Sequence, residues 1–324
     1  SVARWLGDIR DYFPTSVVQL MQKDAIDKLG LQQLLMEPEF LQAVEADVHL
    51  VSTLLGLSRV MPQKTKATAR IVINKVVQQL LQRLANQTRS TISGSLRRSR
   101  RTRRPRHQDI DWNQTIRANL KHYQPEHRTL IAETRIGRSR SRSSLADVVL
   151  CVDQSGSMAP SVVYSSIFAA VLASLPALST KMVVFDTAIV DLSPLLSDPV
   201  EVLFGTQLGG GTDIAQALGY CQALITRPSQ TVFVLVSDLC EGGDRQVMLA
   251  RLAQLSAAGV TCVALLALSD EGAPIYDHDN AAALAALGIP SFGCTPDRFP
   301  DLMAAALGRE DLAMWAARYG MVTA

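Results

Sequence analysis

No run in these 324 residues reaches the roughly 18 consecutive apolar positions that a membrane-crossing helix requires, so no membrane span is expected. A secretory signal is missing too, because Ser1 to Asp11 carries Trp and acidic residues where a basic end and an apolar run would stand. The chain starts at Ser rather than Met, and further residues upstream are expected. Cysteine is scarce: five residues, all from Cys151 onward, with no CxxC pair and no Cys/His cluster of metal-ligand spacing. That pattern points to a reducing compartment, the cytoplasm. Cys151 and Cys262 lie in apolar, strand-like runs, where a thiol serves as a small buried hydrophobe.

The ingredients of catalysis are also missing. After His127 the only histidine is His278, in a polar stretch, which leaves a Ser-His-Asp triad without its base. A haloacid dehalogenase phosphatase would need a second Asp where Ser155 stands. The nearest approach to a phosphate-binding loop, Gly205 to Thr212, has Gly211 where the lysine belongs. The expectation is therefore a binding protein and not an enzyme.

What is present is a globular composition, 48% apolar and 19% charged, on a chain long enough for two buried cores. Residues 1–86 carry apolar side chains three and four apart, with breaks at Pro14, Gly30, Pro38 and Pro62, and read as an all-α amino-terminal domain. Phe40, Val44, Val48 and Val51 share one face between Glu39 and Leu55; Val72, Val76, Leu80 and Leu84 share another between Ala67 and Leu84. From residue 87 to 108 Ser, Thr and Arg take over, with seven arginines between Arg97 and Arg106, and a solvated linker is expected there. Residues 109–145 predict a short helix from Trp112 to Leu120, a strand from Thr129 to Ile136 and a second basic, Ser-rich run ending near Ser144.

Beyond residue 146 the period changes. Strand-like runs at Asp147–Val152, Lys181–Phe185, Thr231–Ser237 and Val260–Ala267 alternate with amphipathic helices such as Ile214–Ile225 and Arg245–Leu255. Continuous apolar strands separated by helices mark an α/β domain with a mostly parallel sheet, covered on both faces. Ligands of such sheets bind at the carboxyl ends of the strands.

Three separate segments place oxygen-bearing side chains at those ends: Asp153-Gln154-Ser155-Gly156-Ser157, Gly209-Gly210-Gly211-Thr212-Asp213, and Ser237-Asp238. Mg²⁺ is a small, hard cation that takes oxygen ligands in near-octahedral geometry. Asp153, Ser155 and Ser157 occupy alternate positions of one turn, so their oxygens can converge; Thr212 adds a hydroxyl and Asp238 a carboxylate, direct or through water. Two anionic groups balance a divalent ion and leave it able to accept a carboxylate from outside. The three glycines before Thr212 allow a tight turn and close approach. Asp213 directly precedes a helical run and reads as its N-cap, not as a ligand. Asp186 follows a strand but matches no ligand pattern and reads as a loop residue.

The order DxSxS, GGGTD and SD resembles the metal-ion-dependent adhesion site of von Willebrand factor A (VWA) domains, with Asp153, Ser155, Ser157, Thr212 and Asp238 at the matching positions. The resemblance spans about Ala146 to Leu307 and implies a Rossmann-like domain over 146–324 that holds Mg²⁺, or Mn²⁺ or Ca²⁺ in vitro. Further upstream, Asp109 to Leu120, following an Arg-rich stretch, resembles the bacterial CoxE-like VWA proteins. That likeness implies a non-catalytic adaptor that works beside a MoxR-type AAA+ ATPase by capturing a Glu or Asp of a partner. A rival use of the arginines is nucleic-acid binding, since RNA-binding proteins of the Ro type also join helices to a VWA domain. Against it, no aromatic residues interleave with the arginines to stack bases, and the helical part is short for a ring of repeats.

Overall fold

The computed structural model describes residues 46–97 except 59, 101–102, 107, 110–127, 129–138, 146–206, 209–269 and 275–321, with scattered positions between 13 and 44. Phe40 and most of the Arg97–Arg106 run lie outside the described residues.

The amino-terminal helices are organised by what they cover. Helix α1 (Val48–Leu57) starts at Asp47, whose carboxylate accepts the Leu50 N–H at 2.7 Å. Its start lies inside the helical stretch expected from Glu39. Helix α2 runs unbroken from Gln63 to Arg97 and buries Val76, Leu80 and Leu84. It continues well past residue 86, so the linker expected over 87–108 is helix as far as Arg97. The reason lies in two positions that composition undervalues. Thr88 and Ile92 continue the four-residue spacing from Leu84, and all three are fully buried. The Thr88 hydroxyl is satisfied by donating to the Leu84 carbonyl at 2.7 Å, so the stripe stays apolar in effect.

Two small ribbons and a short helix follow. Strand β1 (Arg101–Thr102) pairs antiparallel with β4 (Gly137–Arg138), and β2 (Tyr123–Gln124) with β3 (Thr129–Leu130). Helix α3 (Trp112–Ala118) lies between β1 and β2. The strand expected from Thr129 to Ile136 ends at Leu130, because side chains of the α3 region take over its backbone groups. Asn119 donates to the Thr134 carbonyl and accepts the Thr134 N–H, and the Thr115 hydroxyl bonds both polar groups of Ile136.

The central sheet holds β5 (Ala146–Asp153), β6 (Leu178–Phe185), β7 (Ile189–Asp191), β8 (Thr231–Val236), β9 (Thr261–Leu268) and β10 (Ser291–Cys294). Their spatial order is β10-β9-β8-β5-β6-β7; all neighbours are parallel except the antiparallel edge strand β7. Because β5 lies between β6 and β8, the chain leaves it to one side and returns on the other. That reversal opens a crevice at the carboxyl ends of β5 and β8. Strands β7 and β10 are too short to show in the hydropathy pattern.

Alternate residues face opposite layers. Val149, Cys151, Phe233 and Leu235 pack under helices α6 (Ile214–Leu224) and α7 (Arg245–Ala257). Val148, Leu150, Val152, Val232 and Val234 face α4 (Ala159–Ala173). Every residue of α4 from Ser161 to Leu172 is buried, so this helix is buried all round and needs cover on its far side as well. By length and composition the stretch Gly156–Ala173 would reach across a membrane; here it is the core helix. Helices α1, α2 and α5 (Pro199–Gly205) supply the cover, and Arg70 of α2 ion-pairs with Glu201 of α5. Past α8 (His278–Ala286) and β10, α9 (Phe299–Leu307) is pinned to α2 by an Arg83–Asp297 ion pair of 2.9 Å and a Ser95 hydroxyl on the Ala304 carbonyl at 2.8 Å; α10 (Leu312–Arg318) closes the chain. One apolar cluster therefore joins the amino-terminal helices to one face of the sheet.

If α2 is part of that shared core, Ile92→Ala should lower the unfolding free energy by about 2 to 5 kcal/mol in urea denaturation. A loss under about 0.5 kcal/mol, typical of a surface change, would contradict the packing described.

Candidate metal centre

Strand β5 delivers Asp153 to the crevice with its carboxylate fully buried. One oxygen, Oδ1, accepts the Ser155 N–H at 2.8 Å, and Oδ2 accepts the Ser237 hydroxyl at 2.9 Å. Burial pushes the Asp153 carboxyl above its ordinary range, opposed by the bonds from Ser155 and Ser237 and assisted by the charge of Asp238. The Ser155 and Ser157 hydroxyls are 3.3 Å apart, and that of Ser157 donates to Asp238 Oδ2 at 2.9 Å. Four of the five expected ligand residues are thus linked side by side. Thr212 joins them through main chain instead: its carbonyl accepts the Gly242 N–H at 2.9 Å, which docks its loop on the one carrying Asp238.

The backbone explains the glycines. Gly209 and Gly210 have φ of +110° and +117°, the region open to glycine. The Gly209 N–H donates to the Gln154 carbonyl at 3.1 Å, fastening this loop to the one after β5. Gly242 must lack a Cβ because one would stand 2.7 Å from the Thr212 carbonyl oxygen. Asp213 is the N-cap of α6, as its position predicts: its carboxylate accepts the Gln216 N–H at 2.7 Å. Asp186 is more than a bystander, since its carbonyl accepts the Asp213 N–H at 2.9 Å and its carboxylate lies against Gly210.

Several supporting residues carry no local signal. Glu241, in the loop after β8, accepts the Ala215 N–H of α6 at 3.2 Å, with its carboxyl pushed up chiefly by burial. Asn280 donates to the Leu239 carbonyl at 2.9 Å and holds Leu239 in its positive-φ turn. Ser237 is the one such residue the sequence exposes, as the Ser of the Ser-Asp pair; its hydroxyl also accepts the Leu239 N–H at 3.0 Å.

Among the described residues no Lys or Arg ion-pairs with Asp153 or Asp238, so two neighbouring carboxylates at the crevice have no cationic partner from the chain. Nor does a group of three or more His, Cys, Asp or Glu side chains arranged to hold a metal ion occur among the described residues. A cation here would rest on two carboxylates and the hydroxyls of Ser155, Ser157 and Thr212. That all-oxygen set fits a hard divalent ion. The site opens outward, because Ser157, Gly211 and Gly242 are exposed while Asp153 forms the floor.

The family profile described as VWA domain containing CoxE-like protein matches residues 84–303. The chain belongs to this CoxE-like VWA family. The match begins inside α2, in the part of that helix buried against the α/β unit. A relative, "Uncharacterized protein YehP" of Escherichia coli (strain K12), is 35% identical over 302 residues, which cover 93% of this chain and 80% of that one. Similar solved structures include BatB from Bacteroides thetaiotaomicron, 15% identical at a TM-score of 0.39, covering 52% of this chain and 99% of that one. A von Willebrand factor type A protein from Catenulispora acidiphila is 16% identical at a TM-score of 0.39, covering 54% of this chain and 44% of that one.

Two outcomes check this geometry. Asp213→Ala should cost about 0.5 to 2 kcal/mol in thermal or urea unfolding, while Asp213→Asn, which still caps, should cost little; equal losses would argue against the capping role. Of the five cysteines only Cys240 is exposed. Burial pushes the thiols of Cys262 and Cys294 up to about 12, and desolvation with the charge of Asp238 raises Cys240 as well, so it is access rather than acidity that sets Cys240 apart. A disulfide reagent near neutral pH should therefore modify one thiol of the folded protein and all five only after unfolding; rapid reaction of several in the native state would refute the packing.

Proposed function

We propose that this CoxE-like VWA protein is a cytoplasmic, non-catalytic adaptor that holds Mg²⁺ with Asp153, Ser155, Ser157, Thr212 and Asp238 and captures through it a Glu or Asp of a protein partner. The observation that carries the reading is the pair of carboxylates, Asp153 and Asp238, held at one crevice among hydroxyls and without a cationic partner among the described residues. Desolvating a carboxylate with no counter-charge is costly, and a divalent ion offsets that cost. When bound, the ion would supply an electrophilic point for an incoming carboxylate. The rest is positioning by the chain: the Ser155 N–H and the Ser237 hydroxyl orient Asp153, the Cys240 N–H orients Asp238 at 3.1 Å, and the Gly242–Thr212 bond keeps the two loops in register.

The partner we propose is a MoxR-type AAA+ ATPase or its client, in keeping with the family to which the chain belongs. ATP hydrolysis would then reside in the other chain, and the adaptor would contribute a metal-dependent grip. The arginines between Arg97 and Arg106 suit contact with an acidic face of that ATPase.

Titration calorimetry with Mg²⁺ tests the site. Wild type should bind, and Asp153→Ala should weaken binding by more than about tenfold with its circular dichroism unchanged; equal affinity in the two proteins would remove the site assignment. Pull-down from cell extract should retain an AAA+ ATPase in Mg²⁺ and release it in EDTA. Retention of the same ATPase irrespective of metal would overturn the adhesion mechanism.

A further inference from the structure

Beside the metal loops, an open groove of about 640 Å³ lies between the β6–β7 turn and α6, lined by Thr187, Ala188, Ile189, Gln216, Tyr220 and Arg251. Its position follows from the topology. Strand β7 is the sheet edge, and α6, which begins directly after Thr212 and Asp213, passes next to it. The groove reaches the metal loops at its upper end, where a Cβ on Gly211 would stand 3.2 Å from the Thr187 methyl.

Arg251 enters this groove in an unusual way. It belongs to α7, and its guanidinium lies on α6 at Gly219, where a Cβ would be 1.7 Å from Nη1 and 2.6 Å from Cζ. Glycine in mid-helix disfavours the helix, so the notch at Gly219 carries a local cost with no turn to justify it. What it provides is passage for the guanidinium. Among the described residues the Arg251 guanidinium has no ion pair and no hydrogen bond, and outside its helix the residue is held only at its main-chain carbonyl, which accepts from Gln222 at 3.2 Å. Asp191, which holds the Tyr220 hydroxyl of the groove, is already engaged: Oδ1 accepts the Ser193 N–H at 2.9 Å and Oδ2 the Tyr220 hydroxyl at 3.0 Å. The five donors of a guanidinium match a carboxylate in two-point geometry.

We infer that this groove receives a second acidic side chain of the protein partner, anchored by Arg251, next to the carboxylate captured at the metal. The inference rests on the adhesion reading and deepens it: the partner presents an extended acidic segment, and Arg251 selects it over a protein offering one isolated carboxylate. Charge complementarity and continuity with the Thr212 loop single out this occupant.

The probe is an acetylated, amidated hexapeptide of alternating Glu and Gly, titrated into the full chain in saturating Mg²⁺ and followed by NMR. The Nε–H signal of Arg251 and the amide of Gly219 should shift, and Arg251→Ala should weaken binding about five- to tenfold. Gly219→Ala should weaken it similarly by displacing the guanidinium, with an unchanged or higher melting temperature, and both variants should bind Mg²⁺ as wild type does. Wild-type peptide affinity in both variants, or an unmoved Arg251 signal, overturns the groove and leaves the metal reading intact. An Arg251-dependent peptide affinity that is the same in EDTA supports the groove as an acidic-segment site and instead removes the adhesion reading.

Discussion

The carboxyl-terminal edge of the sheet depends on a carboxylate buried where no cationic side chain among the described residues answers it. Asp153 is completely enclosed at the end of β5, satisfied by one main-chain N–H and one hydroxyl, and it neighbours a second carboxylate, Asp238. Every loop at that edge is arranged around this fact. The segment after β5 turns back so that Ser155 can bond Asp153, the segment after β8 offers Ser237, and the glycine loop fastens to both through Gln154 and Gly242. Negative charge left in a low-dielectric crevice is costly, and the proposed cation would offset that cost.

The scaffold that holds this edge has an unequal construction on its two faces. On one, α6 and α7 close directly over the sheet. On the other, α4 is buried all round and cannot be the outermost layer, so α1, α2 and α5 form a second layer over it. The amino-terminal helices are thus structurally continuous with the α/β unit, which accounts for a family match that begins midway along α2. The long helix packs on the core on the side opposite α6, and the loops that carry Asp153, Thr212 and Asp238 sit at the end of the sheet between the two layers.

The site has two chemically distinct parts that share a wall. The loops around Asp153 present oxygen atoms, and the groove beside them presents one guanidinium without an ion pair among the described residues. Under the proposed function, the two set next to each other would divide recognition of an acidic partner between a site of strong, nondirectional attraction and one of directional hydrogen bonding. Such a division separates affinity from selectivity.

By itself the sequence determined the α/β unit and which side chains gather at the carboxyl ends of its strands, since parallel strands buried on both faces must be continuous apolar runs, and residues placed at that edge must follow those runs directly. Asp153, Ser155, Ser157 and Asp238 could be read this way because each lies within five residues of a legible strand, and Asp213 because capping is local. Only the tertiary structure decided that α2 continues through the Ser- and Thr-rich stretch to Arg97, because Thr88 and Ile92 gain their stability from contacts with residues far along the chain. The same holds for the short strands β7 and β10, for Glu241 reaching the start of α6, and for Arg251 crossing at Gly219. Their meaning depends on what stands opposite them in space, which no local spacing encodes.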